Sequence, residues 1–87
     1  MQIKFSKIFE KQLGKAPVSV TLVFEERFQI FLLNKQSPIL NNHQLKGKYQ
    51  GFKSINVGGD WRAIFQELSN GDVYFAFFGT HSQLYKK

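Results

Sequence analysis

The C-terminal part of the chain carries the pattern that most restricts its fold. Three apolar segments, FKSINV (52–57), WRAIFQEL (61–68) and VYFAFFG (73–79), follow one another with only the short turns GGD and SNGD between them. Segments of this length that are rich in β-branched and aromatic residues and bounded by glycine turns are typical of β-strands. The Asn-Gly pair of the second turn is a strong hairpin signal. The sequence therefore predicts a three-stranded antiparallel meander over residues 52–79.

The N-terminal half predicts one strand and two helices. MQIKF (1–5) alternates apolar and polar residues, as a short strand does, and Ser6 can cap a first helix that ends at Gly14. A second helix is predicted from Pro17 to Asn34, with apolar residues every three or four positions: Val20, Phe24, Phe28 and Phe31. The β-branched segment VSVTLVF (18–24) also suits a strand, but the period and the length favour a helix.

These elements predict an α+β domain with both helices packed on one face of the sheet, which leaves the opposite face free to bind a ligand. We expect one domain over residues 1–87, because a chain of 87 residues buries only one modest core. Ten Phe, three Tyr and one Trp supply the apolar area of that core. The absence of Cys excludes a disulfide framework, and with only two His we expect no metal site and no cofactor.

Charge is distributed unevenly along the chain. The net charge is +6, and no acidic residue occurs between Glu26 and Asp60, a stretch that contains five cations: Arg27, Lys35, Lys46, Lys48 and Lys53. Residues 36–51 are polar, contain glycine and follow no period, so we interpret them as a long, basic, partly ordered loop. Such a surface attracts polyanions, although a face that only keeps the protein soluble is the alternative.

The chain contains neither of the segments that direct a protein to a membrane. No apolar run approaches the roughly 20 residues that span a bilayer, and MQIKFSKIFEKQLGK (1–15) lacks the apolar core of a signal peptide. We therefore expect a soluble protein that stays in the cytoplasm and has no membrane partner.

Several groups capable of acid–base chemistry follow or precede the predicted strands. His43 lies in the basic loop, Asp60, Trp61 and Arg62 open the second meander strand, and FGTHSQLY (78–85) brings His81 and Tyr85 after the last strand. The sequence has no local signature of a nucleophilic triad, and NVGGDW leads into a strand rather than into a phosphate-binding helix. Acid–base groups accompanied by cations suit RNA transesterification, in which the ribose 2′-hydroxyl is the nucleophile.

GDWRAIF (59–65) and GTHSQLY (79–85) together resemble the RelE superfamily of bacterial type II toxins, and most closely its YafQ branch. The resemblance extends from the N-terminal strand to Tyr85. It implies a strand, two helices and a three-stranded meander, and a metal-independent endoribonuclease that cleaves messenger RNA, commonly on the ribosome. It also implies a cognate antitoxin, through which the toxin would meet operator DNA only indirectly.

The resemblance assigns roles residue by residue. It implies His81 as general acid or base, with His43 and Asp60 assisting, Arg62 stabilising phosphate charge, and Trp61 and Tyr85 packing against the substrate. The basic stretch adds Lys46, Lys48 and Lys53, which we expect to hold phosphate. Two positions depart from the YafQ pattern. Asn56 occupies the place of a histidine in the first meander strand, and Phe77 that of an arginine in the last one. Loss of that arginine makes Arg62 and the loop lysines the candidate substitutes.

Other interpretations of these residues and of the whole chain stay open at this point. Without the resemblance, His43 is an ordinary surface residue, Asp60 a turn residue, and Trp61 and Tyr85 core aromatics. For the whole protein, the first alternative is a ParE-like toxin that binds gyrase without catalysis, which the departures at Asn56 and Phe77 make a serious rival. The second is a nucleic-acid-binding regulator that uses only the basic loop and cleaves nothing.

Overall fold

The computed structural model describes residues 1–85. Its five strands and three helices run, in chain order, as β1 (Ile3–Phe5), α1 (Lys7–Gly14), α2 (Val18–Leu33), β2 (His43–Gln44), β3 (Lys53–Asn56), β4 (Trp61–Glu67), β5 (Val73–Thr80) and α3 (His81–Leu84). Two 3₁₀ turns, Pro38–Leu40 and Gly47–Tyr49, flank β2. The predicted α+β class is confirmed.

The strands form one sheet in the order β1-β5-β4-β3-β2. β3, β4 and β5 make the predicted antiparallel meander, and β1 lies parallel to β5. The SNGD turn closes as a hairpin in which the Gly71 amide donates to the Leu68 carbonyl at 2.9 Å and Gly71 takes a positive φ of 89°. The interpretation of 36–51 as a loop was incomplete, because β2 within it pairs with β3 and extends the sheet. Two residues are too short a strand to produce a periodic signal.

Both long helices form where the sequence predicts them. The Ser6 hydroxyl accepts a hydrogen bond from the Phe9 amide at 2.8 Å and so caps α1. α2 is a helix throughout, so the competing strand interpretation of residues 18–24 is wrong. Pro17 precedes the first helical residue instead of being part of the helix. The Phe residues spaced along α2 decide the outcome, since Phe24 and Phe31 are buried when this segment is helical.

The main core lies between these helices and the sheet, and phenylalanine dominates it. The fully buried ring of Phe9 contacts Phe24, Phe75 and Phe78 at centroid distances of 5.5 to 5.6 Å. Aromatic pairs at such distances add favourable edge-to-face contacts to the area they bury. α1 and α2 are therefore fixed against β4 and β5.

The opposite face of the sheet is only partly free, whereas the sequence-based expectation was an open face. Along β4, Ala63 and Phe65 point into the main core, whereas Ile64 points to the other side and is buried there with Tyr49 and Leu84. Leu45, Phe52, Phe77 and Tyr85 pack around this second cluster. The 3₁₀ turn at Gly47–Tyr49 and helix α3 thus cover part of the face that was expected to be open.

No helix within residues 1–85 has both the length and the apolar character required to cross a membrane.

Candidate active site

Asp60, Arg62 and His81 meet at one end of the sheet, where β4 begins and β5 ends. Trp61 pairs with Thr80 and Arg62 with Gly79, so the start of β4 lies beside the residues that precede His81. The His81 amide donates a hydrogen bond to the Asp60 carbonyl at 2.9 Å. The two sequence segments GDWR and GTH, which are separated by most of a hairpin, are therefore neighbours in space.

Helix α3 presents His81 to solvent in a fixed position. The Thr80 hydroxyl accepts from the Gln83 amide at 3.1 Å and the Gln83 side chain accepts from the Thr80 amide at 2.9 Å, which is a complete capping box. One turn later, the Tyr85 amide donates to the His81 carbonyl at 3.0 Å. The rings of His81 and Tyr85 then lie 4.6 Å apart, tilted by 33°. The imidazole is exposed on one side and supported by the phenol on the other.

Tyr85 contacts the ring of His81 and lies within the electrostatic influence of Arg62. Burial raises the pKa of the Tyr85 hydroxyl, nearby Tyr49 raises it further, and the positive charge of Arg62 opposes both effects. The phenol therefore stays protonated at neutral pH and can act as a hydrogen-bond donor. Arg62 lies between Trp61 and Ala63, which both face the main core, so it belongs to the opposite face of the sheet, the one that α3 partly covers.

Arg62 is held by the backbone around it. Its Nη1 donates to the Gly59 carbonyl at 3.0 Å and to the Trp61 carbonyl at 2.9 Å. These bonds use one nitrogen of the guanidinium and fix its plane. The Nη2 edge can then serve an anion, for which a guanidinium is suited because it is planar and carries several N–H donors.

Tyr49 and Lys48 hold the C-terminal end of α3. The buried Tyr49 hydroxyl donates to the Leu84 carbonyl at 2.7 Å, and Lys48 Nζ lies 3.3 Å from the same oxygen. Lys48 Nζ also lies 5.3 Å from the centre of the Tyr49 ring. Burial raises the pKa of the Tyr49 hydroxyl, so it remains a donor. Lys46 is exposed in the same segment.

Sequence reasoning missed Tyr49 as a supporting residue. The signal was one aromatic residue within the polar segment KGKYQG (46–51), which has no period to show that its side chain is buried. The ring packs edge-on against Tyr85 at 5.3 Å and, tilted by 55°, against Phe77 at 5.5 Å. It therefore joins the basic segment, α3 and β5.

His43 lies on the same face as Arg62 but farther across the sheet. It pairs with Ser54, which pairs with Ile64, which pairs with Phe77, and directly paired residues share a face. Three strand spacings of roughly 4.8 Å put the backbones of β2 and β5 about 14 Å apart. The His43 Nδ1–H donates to the Asn41 carbonyl at 2.7 Å, which leaves Nε2 free to accept a proton. The structure therefore does not bring His43 beside His81.

Lys53 lies on the other face of the sheet. It pairs with Phe65, whose side chain is in the main core, and its Nζ contacts Glu67 at 2.7 Å. Lys35 contacts the same carboxylate at 2.9 Å. The hydrogen bonds from Lys53 and from Lys35 lower the pKa of Glu67. The stretch between Glu26 and Asp60, which contains no acidic residue, is therefore neutralised in part by Glu67 in the folded protein. Lys53 does not lie with Arg62.

Trp61 also points away from Arg62. Its indole stacks on Phe78 with ring centroids 5.5 Å apart and planes inclined by 22°, and it packs on the helix side against the main core. It remains half-buried, so part of the side chain is open at the margin of that core. The two aromatic residues predicted to pack the substrate, Trp61 and Tyr85, therefore lie on opposite faces.

The two departures from the YafQ pattern both lie on the face of Arg62. Phe77 belongs to the second cluster and contacts Tyr49 and Phe52, with centroids 5.5 and 6.1 Å apart. Asn56 pairs with Arg62, and its Oδ1 is buried without a hydrogen-bond partner within the described structure. Where a histidine and an arginine were expected, this chain has a neutral amide and a packed phenyl ring. Arg62 is the cation nearest in register to both positions.

A metal centre is not apparent in the described part of the chain: residues 1–85 contain no group of three or more His, Asp or Glu side chains that could hold a metal ion.

Comparison with known proteins gives one family match. The model of the family described as "Bacterial toxin of type II toxin-antitoxin system, YafQ" matches residues 1–86. No curated protein matches the chain.

Solved structures share the fold at low sequence identity. YafQ from E. coli strain BL21(DE3) aligns with a TM-score of 0.70 and 21% identity over 97% of both chains. YafQ in the E. coli DinJ–YafQ complex gives a TM-score of 0.68 and 22% identity, again over 97% of both chains. A YoeB/ParE toxin from Agrobacterium tumefaciens gives 0.74 and 10% identity, over 93% of this chain and 99% of the other. These structures show a common fold.

Proposed function

Because this chain belongs to the YafQ family of bacterial type II toxins, we propose that it inhibits translation by cleaving messenger RNA as an endoribonuclease. The chain is the toxin component of a type II toxin–antitoxin system. The observation that carries the enzymatic proposal is the end of the sheet described above. There, an exposed imidazole, a guanidinium and a protonated phenol lie around Asp60 and the start of α3.

The proposed reaction needs only proton transfers and stabilisation of charge. The ribose 2′-oxygen loses its proton to a base and attacks phosphorus, and the bond to the 5′-oxygen breaks as that oxygen takes a proton from an acid. The products are a 2′,3′-cyclic phosphate and a free 5′-hydroxyl. An imidazole can either accept or donate a proton, and His81 is the exposed imidazole at this end of the sheet.

Arg62 and Tyr85 support the reaction from the adjoining face. Negative charge builds up on the phosphate oxygens in the transition state, and a guanidinium held by two carbonyls meets that charge with little reorganisation. Tyr85 keeps the His81 ring oriented and offers its hydroxyl as a donor. Lys46 and Lys48, on the segment beside α3, add positive potential for the incoming strand.

The more distant predicted residues take lesser parts in this proposal. His43 shares the face of Arg62 but lies on β2, about three strand spacings from β5. It therefore contacts RNA beyond the scissile phosphate and does not take part in the proton transfer at His81. Asp60 is exposed and its carbonyl accepts a hydrogen bond from the His81 amide; in this proposal its carboxylate assists His81. Lys53, bound to Glu67 on the other face, has no role in catalysis.

The partners and the place of action follow from this proposal. The substrate is messenger RNA in the cytoplasm, most directly on the ribosome, and a cognate antitoxin masks the site. An acidic antitoxin segment that orders on contact fits a toxin with a net charge of +6. Contact with operator DNA would come only through that antitoxin.

The test compares the wild-type chain with His81→Ala. Induction of the wild-type chain should arrest translation within minutes, and RNA from those cells should carry new 5′-hydroxyl ends. His81→Ala should lose both effects while its circular dichroism and thermal unfolding stay unchanged. Undiminished cleavage by His81→Ala would remove His81 from the mechanism. Arrest of replication without any RNA cleavage would instead identify a ParE-like toxin that binds gyrase.

A further inference from the structure

The half-buried indole of Trp61 lines a hollow that the proposed reaction does not use. The hollow has a volume of 240 Å³ and lies between the C-terminal end of α1, the start of β4 and helix α3; its walls are Gln12, Lys15, Ala16, Trp61, Phe78 and Gln83. It opens on the helix side of the sheet, opposite Arg62. We refer to it as the Trp61 hollow.

The walls of the Trp61 hollow suit a flat aromatic ring that carries hydrogen-bond acceptors. Trp61, Phe78 and Ala16 supply apolar surface, and the indole plane is already fixed by its stacking on Phe78. The carbonyl oxygens of the two glutamine side chains are used internally, Gln12 by the Phe78 amide at 2.8 Å and Gln83 by the Thr80 amide at 2.9 Å. Each side chain therefore keeps its NH₂ group as a donor in a fixed orientation.

A row of lysines on α1 leads to this hollow. Lys7, Lys11 and Lys15 are all exposed and recur every four residues, so they follow one flank of the helix at intervals of about 6 Å. Glu10, the acidic residue of α1, follows Lys7 by three positions, so it borders the start of the row and not its end at Lys15. The last cation of the row, Lys15, is itself part of the wall. A row of evenly spaced cations that ends at an aromatic surface matches the alternation of phosphate and base in a single strand.

The Trp61 hollow adjoins the proposed cleavage site around the end of the sheet. Trp61 pairs with Thr80, the residue before His81, and follows Asp60, whose carbonyl receives the His81 amide. A strand that passes His81 can therefore leave the face of Arg62 and continue onto the face of Trp61. An unpaired base stacks readily on an aromatic side chain because every base has a π-face.

We propose that the Trp61 hollow is a nucleobase subsite, which binds an unpaired base of the RNA strand next to the scissile nucleotide, while Lys15, Lys11 and Lys7 hold the phosphates that follow. The position of the subsite relative to the cut rests on the proposed nuclease function. Binding of a base in the hollow does not, because it needs no cleavage.

The experiment uses the single tryptophan of the chain as its reporter. A 2′-O-methyl oligoribonucleotide, which lacks the attacking hydroxyl, is titrated into the wild-type protein while Trp61 fluorescence is recorded. We expect quenching of Trp61 fluorescence that saturates with oligonucleotide concentration, and an affinity that falls as the salt concentration is raised. An oligonucleotide of the same length with abasic residues should bind about tenfold less tightly and leave the fluorescence nearly unchanged.

Variants separate the base subsite from general attraction of RNA to a basic protein. Lys15→Gln should weaken RNA binding several-fold. Lys4→Gln should weaken it only by the small amount expected for one lost charge, since Lys4 pairs with Tyr74 on the opposite face. Trp61→Phe, followed by the anisotropy of a labelled oligonucleotide, should retain most of the affinity, and Trp61→Ala should lose it. Thermal unfolding of each variant checks that the fold is intact.

The outcomes distinguish this proposal from the proposed function. Quenching that fails to appear, that is equal for the abasic strand, or that is unaffected by Lys15→Gln would overturn the subsite even if RNA is cleaved. Base-dependent quenching in a protein that cleaves no RNA would support the subsite and contradict the nuclease.

Discussion

The hydroxyl of Tyr49 donates a hydrogen bond to the carbonyl of Leu84 across 2.7 Å and thereby fastens the C-terminal end of α3 to the basic segment before β3. The helix consists of four residues and cannot be stable by itself. Its position depends on the capping box at one end and on Tyr49, assisted by Lys48, at the other. The orientation of His81 therefore depends on a residue 32 positions earlier in the chain.

Tyr49→Phe should loosen α3 without emptying the space that the ring fills. Loss of one buried hydrogen bond lowers the free energy of unfolding by about 1 kcal/mol. We expect faster hydrogen exchange at the Tyr85 amide and slower RNA cleavage, with a larger effect on kcat than on KM. Tyr74→Phe is the matched control, because Tyr74 is partly exposed near the start of β5, at the end of the strand away from α3. Equal effects of the two substitutions would show that Tyr49 does not position α3.

Gly79→Ala should disturb the other end of the same helix. A Cβ atom at Gly79 would lie 3.0 Å from Gln83 Oε1 and 3.5 Å from Leu84 Cγ. Gln83 Oε1, at the end of a flexible side chain, would have to shift slightly, which weakens its hydrogen bond from the Thr80 amide and with it the capping box. We expect a loss of about 1 kcal/mol in unfolding free energy and reduced cleavage, measured by urea denaturation and by single-turnover kinetics.

Gly14→Ala is the control for the previous substitution, since a Cβ atom there meets nothing within 4 Å. Gly14 is the last residue of helix α1, so the preference for alanine over glycine, about 1 kcal/mol in a helix interior, is smaller there. The control should therefore be neutral or slightly stabilising. If Gly79→Ala behaved in the same way, the capping box would not be needed to hold His81.

Arg62→Gln should impair chemistry more than binding. In the proposed mechanism, Arg62 substitutes for the arginine that the YafQ pattern has where this chain has Phe77, so its removal would leave no guanidinium at this end of the meander. Loss of one transition-state donor slows cleavage by about 10²- to 10³-fold, and we expect KM to change little. Single-turnover cleavage of an RNA substrate measures this.

Two further variants sharpen the test of Arg62. Arg62→Lys should recover only part of the rate, because an ammonium cannot bond both the Gly59 and Trp61 carbonyls and still present a planar edge to phosphate. Lys4→Gln removes one charge from the exposed edge strand and should leave the rate nearly unchanged. If Lys4→Gln and Arg62→Gln slow cleavage equally, Arg62 contributes only to net charge.

The sequence predicted the elements that have a strong period and missed those that do not. Helix α2 and the meander were predictable because Phe24 and Phe31, or the alternation through Ala63, Ile64 and Phe65, repeat over several residues. β2 and the 3₁₀ turn that carries Tyr49 are too short to repeat anything. The sequence therefore could not show that the 3₁₀ turn with Tyr49 and the four-residue helix α3 cover part of the second sheet face.

The composition of the candidate site was predicted better than its geometry. GDWR and GTH were expected to act together, and the pairing of Trp61 with Thr80 and of Arg62 with Gly79 makes them neighbours. The face on which each side chain lies was not predictable, because a shift of register by one residue exchanges the two faces. This is why Trp61 and Lys53 were grouped with Arg62 although they lie on the opposite face.

Glu67→Gln should destabilise the protein at neutral pH but not at low pH. The pKa of Glu67 is lowered in the folded state by the hydrogen bonds from Lys53 and Lys35. A lowered pKa means that these bonds stabilise the fold above the unfolded pKa, about 4.3, and that this contribution is lost as the pH falls through the folded pKa. Because the pairs are partly exposed, we expect a loss of about 1 kcal/mol at pH 7.

Thermal unfolding of Glu67→Gln and the wild-type protein should therefore differ by about 4–8 °C at pH 7, and the two melting temperatures should converge in acid. Asp72, whose pKa is also lowered, titrates in both proteins and cancels from the difference. Glu25→Gln is the control, since Glu25 is exposed on α2 and forms no ion pair within the described structure. A difference that persists unchanged in acid would mean that the side chain of Glu67 stabilises the fold by packing and not by its charge.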